Sequence, residues 1–229
     1  MKPLLPLRIA ISLLLIAISA SLLSLIGSSL TWKASHKHET ATFTSKDGAE
    51  QAVLVIFPLY LQIGSYAILI AAGCGGLVDQ LLYLLFTLVK RNMFGSRIRN
   101  SMIAKTLISL RLCIGVAASI FSFVQYYGSS IFQMSYTPAD GVYGVGHFTM
   151  EAWTCQTRER IVDGYQGNFG RLCKEGKAAR WMLIPYVLLS ILLLGLEVWL
   201  GRRRSKISEE EDLQASHTIE NTKEHSDRT

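Results

Sequence analysis

The residues of this chain whose types suit chemistry fall into three sets. Asp79, Gln80 and Arg111 stand inside long apolar stretches, where a charge is costly and needs a partner or a water-lined cavity. Cys155 and Cys173 share one polar segment, too far apart for a Cys-x-x-Cys redox pair. His36, Lys37, His38 and Glu39 form a short cluster, but two histidines without further ligands read as a solvated loop rather than a metal site. No Ser–His–Asp set, His-Glu-x-x-His pattern or phosphate-binding glycine loop appears. A non-enzymatic protein is expected, with no cofactor and no metal.

Three readings of the intramembrane charges stay open. Asp79, about 15 Å deep, and Arg111, about 8 Å deep, can meet as an ion pair that fixes the register of their two helices. Alternatively, Arg111 snorkels its guanidinium to the headgroups. In the third reading Asp79 binds a proton or cation on a transport path. Glu197 competes as a partner for Arg111.

The elements that must position these groups are four apolar stretches, about 9–30, 66–89, 106–126 and 182–200. A bilayer core of about 30 Å needs roughly 20 apolar residues as helix, and lipid leaves the backbone no other partners. The net charge of +6 is not spread as a nucleic-acid binder would spread it. Lys2 and Arg8 precede the first stretch, Lys90, Arg91, Arg97, Arg99 and Lys105 join the second to the third, and Arg202, Arg203, Arg204 and Lys206 follow the fourth. The positive-inside rule puts all three clusters in the cytosol. Both termini then lie inside, with outer loops 31–65 and 127–181, and the plasma membrane is the expected location. The first stretch exceeds an ordinary signal core and reads as a retained signal-anchor. Small residues four apart, Ala17 with Ser21, Ala72 with Gly76 and Gly115 with Ser119, suit close helix packing.

The second span has two candidate starts. Val53, Val55 and Ile56 are β-branched and Pro58 breaks a helix, so Thr40–Ser45 and Val53–Leu61 can pair as a hairpin around the Lys46-Asp47-Gly48 turn. The span then begins at Tyr66. The competing reading starts it at Val53. The fourth span carries Pro185 in its first turn, where a missing N–H costs little.

In an outer loop, Cys155 and Cys173 are expected as a structural disulfide worth about 3 kcal/mol. Trp153, Phe169 and Leu172 flank them as anchors for an aromatic knot on the bundle. The run Glu151-Ala152-Trp153-Thr154-Cys155-Gln156, then Phe169-Gly170-Arg171-Leu172-Cys173-Lys174-Glu175 and Ala178-Ala179-Arg180 before an apolar helix, resembles a signature of fungal four-span membrane proteins. The resemblance covers Phe148 to about Leu200. It implies a four-span fold and no particular activity, since none is attached to that signature.

The expected architecture is an all-α, four-helix transmembrane bundle over 1–200, with a disulfide-pinned outer loop and room for a small β-hairpin. Residues 201–229 are rich in charge and poor in aromatics, and are expected to be disordered. Arg202, Arg203, Arg204 and Lys206 can hold anionic lipid at about 1 kcal/mol each. The expected function is a structural, organising tetraspan whose outer loop contacts neighbouring membrane proteins or a second copy. The alternative is a transporter or channel subunit using Asp79.

Overall fold

The computed structural model describes residues 4–45, 48, 50–89, 97–133, 141–162 and 164–226. Side chains are described through Arg203, except those of 87–89, 97–101 and 103. Lys2, Lys46, Asp47, Lys90 and Arg91, and the side chains of Arg97, Arg99, Arg204 and Lys206, lie outside that description.

Four helices are long and apolar enough to cross a membrane. They are α1 (Leu4–Ser35), α2 (Gly64–Val89), α3 (Arg97–Tyr127) and a final helix from Gln166 to Ser226. Between them lie β1 (Thr40–Thr44), β2 (Gln51–Val55), β3 (Leu61–Gln62), β4 (Phe148–Thr149) and the short helix α4 (Met150–Thr157). The final helix is α5. Helix α1 packs on α2 and α5, and α3 packs on the same two, so the bundle closes in the order α1, α2, α3, α5.

The hairpin forms, but its second strand is Gln51–Val55 rather than Val53–Leu61, since Pro58 has no N–H to extend the ladder. Strands β1 and β2 pair antiparallel with Phe43 opposite Ala52, and Gly48 turns the chain with φ of 71°. Pro58 follows the end of β2, and α2 begins only at Gly64. A span starting at Val53 is thereby excluded. Two further segments sew the hairpin down: Val55 N donates to the Gly141 carbonyl at 2.8 Å, and Thr44 N donates to the Arg160 carbonyl at 2.7 Å. Strands β3 and β4 pair in parallel, bringing the entry to α2 beside the entry to α4.

Helix α4 starts at Thr149, whose hydroxyl accepts from the Ala152 N–H at 3.1 Å, the usual way to satisfy an orphan amide of a first turn. The Cys155–Cys173 disulfide then fastens α4 to α5, with Cα atoms 4.8 Å apart.

Helix α5 departs from expectation at both ends. It begins at Gln166, well before residue 182, because Phe169, Leu172, Cys173, Ala179 and Leu183 make one buried helical stripe. Pro185 therefore sits in the helix interior, where it removes a backbone hydrogen bond, rather than in a first turn. At the other end the backbone continues helical through Gly201 to Ser226, where a disordered tail is expected. The Arg, Lys, Glu, Leu, Ala and Gln content of that segment favours helix locally.

Buried apolar residues form two clusters. The larger unites the hairpin, α4 and the adjoining ends of the bundle helices. The smaller, around Leu15, Tyr83, Tyr186 and Leu193, fills the opposite part.

Candidate functional site: an aromatic knot above a column of buried polar groups

Trp153 is the hub of the disulfide end. It is fully buried, and its ring centroid lies 5.1 Å from Phe148, 5.3 Å from Phe132, 5.5 Å from Tyr143 and 6.1 Å from Phe43. Several of these pairs are edge-to-face or tilted, the arrangements favoured by ring quadrupoles. Its indole Nε1 donates to the Ile56 carbonyl at 2.8 Å, so the one polar atom of the ring is satisfied. Phe169 and Leu172 are buried too, as expected of anchors, but Phe169 joins a second group: its ring lies 5.7 Å from that of Trp32 on α1.

The cluster at His36 is absorbed into this second group. The His36 ring stacks on Trp32 at 4.3 Å, and Glu39 accepts from the Tyr165 hydroxyl at 2.7 Å. Among the described residues, no three His, Cys, Asp or Glu side chains converge as metal ligands would.

Below the knot, ionic groups are spaced down the bundle axis. Arg180 of α5 makes a bidentate pair with Glu151 of α4, at 2.7 and 3.1 Å. The guanidinium lies 3.8 Å from the centre of the Tyr126 ring, so its free face is covered by an aromatic. Burial pushes the Glu151 carboxyl above its ordinary pKa, against the pull of Arg180. Glu175, one turn before Ala179 on α5, accepts from Ser29 of α1 at 3.1 Å and meets Arg171 at 3.4 Å. Beside these groups, Tyr66, Ser122, Thr149 and Glu151 line a cavity of about 20 Å³, room for about one water molecule.

In the middle of the bundle, Arg111 Nη1 of α3 lies 3.3 Å from Asp79 Oδ2 of α2. Arg111 is 2% exposed and Asp79 8%, so Arg111 does not snorkel away. With its amide oriented by its neighbours, Gln80 accepts from Arg111 and donates to Ser12 of α1 at 3.2 Å. The Asp79 oxygens make no hydrogen bond in addition to the ion pair, and Ser19 Oγ and Tyr186 Oη also lack partners among the described residues. These groups meet because glycine leaves room for them. A Cβ on Gly76 would come within 2.6 Å of both Ser19 Oγ and Tyr186 Oη, and one on Gly115 within 2.8 Å of the Tyr186 ring. Two of the small residues that the spacing marks for close packing therefore house a tyrosine.

At the far end, Arg8 of α1 pairs with Glu197 of α5, and its Nε donates to the Tyr83 hydroxyl at 2.8 Å. The Tyr83 hydroxyl in turn donates to Glu197. Glu197 is thus committed to Arg8 and Tyr83 and is no competitor for Arg111. Arg202 and Arg203 are exposed just beyond, with the Arg203 guanidinium 5.4 Å from the Trp199 ring centre.

The disulfide forms as expected, and of the readings left open for the intramembrane charges the structure shows Asp79 paired with Arg111. The Arg8–Tyr83–Glu197 and Glu151–Arg180 groups carry no advance signal, since their pairing depends on how each helix is rotated about its axis. Comparison of the chain with family models, with curated proteins and with solved structures finds no match.

Proposed function

We propose that this chain is a non-enzymatic, multi-pass membrane protein that organises its neighbours through the knot at its disulfide end. One observation carries the reading: the knot is a packed, covalently fastened body around Trp153 rather than a loose loop. Such a body presents a fixed surface, which is what specific contact with another protein needs. Val53 and Val162 are exposed on it and supply apolar contact points. The closed ionic pairs beneath it support a structural role for the buried charges. The basic clusters support an orientation with both termini in the cytosol of a plasma-membrane protein, and the loop signature supports kinship with the fungal four-span proteins.

Orientation is tested with a membrane-impermeant maleimide on intact cells carrying Cys74→Ser and Cys113→Ser. Labelling only after reduction is expected; labelling only after permeabilisation overturns the orientation. Contact is tested by adding Val53→Cys to that chain and applying an impermeant bis-maleimide. A discrete cross-linked species is expected, and its absence overturns the organising role.

A second reading, a transporter or channel subunit using Asp79, is favoured by the Ser19 and Tyr186 hydroxyls, which lack hydrogen-bond partners among the described residues, beside the Asp79–Arg111 pair. Proton or cation flux in proteoliposomes that disappears in Asp79→Asn would establish it in place of the first.

A further inference from the structure

Most exposed apolar side chains of this molecule lie on the bundle helices, where lipid accounts for them. One group does not. Leu59 and Tyr60 precede β3, Ile63 precedes α2, Ile131 follows α3, and Val145 sits in the approach to β4. All five are exposed, Ile131 at 74%, Leu59 at 64% and Tyr60 at 51%.

The backbone holds these three segments together. Leu59 N donates to the Tyr143 carbonyl at 3.0 Å, and Ser130 N donates to the His147 carbonyl at 2.8 Å. The Tyr60 and His147 rings lie 5.7 Å apart. The group is therefore one collar around the base of the knot and not scattered side chains.

Its height is set by the helices. Gly64, the first residue of α2, lies against Gln125 and Phe121 of α3, with 3.4 Å from its Cβ position to Gln125 Nε2. Ile63 is thus level with the last turn of α3, which ends in the exposed Tyr127. Trp181 on the neighbouring helix α5, exposed and edge-on to Phe123 of α3 at 5.7 Å, marks the same level. Exposed Tyr and Trp at one level of a bundle are the belt of a membrane interface. The collar begins at that belt and continues the apolar surface of α2 and α3 upward without a charged residue at 59–63 or 127–131.

We infer that the collar, Leu59, Tyr60, Ile63, Ile131 and Val145, is seated in the acyl–headgroup boundary of the leaflet beneath the knot. The knot then lies partly sunk in lipid rather than standing clear in water. The depth reached by interfacial apolar segments, about 5–10 Å, fits a collar only a few residues above the helix ends. The inference rests on the helices crossing a bilayer but not on the organising role.

The test uses the full chain in phosphatidylcholine vesicles. Single cysteines at Leu59→Cys, Ile131→Cys and Val53→Cys, each with Cys74→Ser and Cys113→Ser, carry an environment-sensitive fluorophore. Retention of the disulfide checks folding. Nitroxide on the acyl chain near the headgroup is expected to quench the labels at 59 and 131 several-fold more than the label at 53. Aqueous iodide is expected to do the reverse. Native Cys74, exposed on α2 and about 15 Å below Gly64, is the internal standard for lipid contact in a Cys113→Ser chain, read with a nitroxide at the end of the acyl chain. If Cys74 is quenched by lipid nitroxide while 59 and 131 respond like 53, the collar inference fails alone. If Cys74 is not quenched either, the membrane-spanning reading fails with it. Shielding of 59 and 131 from both quenchers assigns the collar to a protein contact and overturns the lipid assignment.

Discussion

Trp153 Nε1 and the Ile56 carbonyl, 97 residues apart in sequence, meet at 2.8 Å in the interior of the knot. That bond ties α4 to the end of β2, while the backbone bonds of Thr44 and Val55 hold the hairpin to Arg160 and Gly141. Trp153→Phe keeps a ring but leaves a buried carbonyl unpaired, a loss of about 1–3 kcal/mol. Trp153→Ala removes the hub of four aromatic contacts and costs about 3–5 kcal/mol. Thermal unfolding in detergent, followed by circular dichroism, is expected to rank them in that order.

Asp79 and Arg111 are coupled, so single substitutions overstate what the pair contributes. Arg111→Met leaves a buried carboxylate without its cation and is expected to cost about 3–5 kcal/mol. Adding Asp79→Leu should recover most of that loss. A double-mutant cycle on urea unfolding in micelles measures the coupling, and simple additivity of the two losses would contradict the pairing.

Neighbouring glycines in α2 are expected to behave oppositely. Gly76→Ala drives a methyl against Ser19 and Tyr186 and should cost about 1–3 kcal/mol as overpacking. Gly75 has nothing within 4 Å of its Cβ position, so Gly75→Ala should be neutral or stabilising by up to about 1 kcal/mol. Melting temperatures of the two variants, read side by side, test whether the Tyr186 ring occupies the space the bundle leaves for it.

Losing the disulfide should loosen one end and spare the other. Cys155→Ser or Cys173→Ser is expected to cost about 3 kcal/mol. Hydrogen exchange should rise in the hairpin and α4, with little change around Tyr83 and Leu193, which belong to the second cluster.

What the sequence makes legible follows from where the physics is local. The four spans need only composition, and the hairpin only its β-branched residues and turn, although these extend the second strand to Leu61 where it ends at Val55. The disulfide needs two cysteines in one loop, and the cost of charge in hydrocarbon marks Asp79 and Arg111 without choosing among pairing, snorkelling and transport. The partners of Glu151, Arg180 and Glu197 depend instead on how each helix is rotated about its axis, which no spacing within one segment reveals. The early start of α5 was within reach: Phe169, Leu172, Cys173 and Leu183 repeat at helical intervals, but Gly167, Gly170 and Gly176 dilute the pattern. The same dilution hides the place of Pro185, since a span counted from residue 182 puts it in a first turn and the helix from Gln166 puts it in the interior.

The unbroken backbone of α5 has a mechanical meaning. The stretch Gln166–Arg203, which contains the apolar crossing segment, holds 38 residues, about 57 Å of helix. Cys173 bolts that rod to the knot near one end, and Arg202 and Arg203 stand at the other. The disulfide thereby seats the knot on a continuous helix rather than on a flexible linker, with Pro185 the one place inside the crossing where that helix lacks a backbone hydrogen bond.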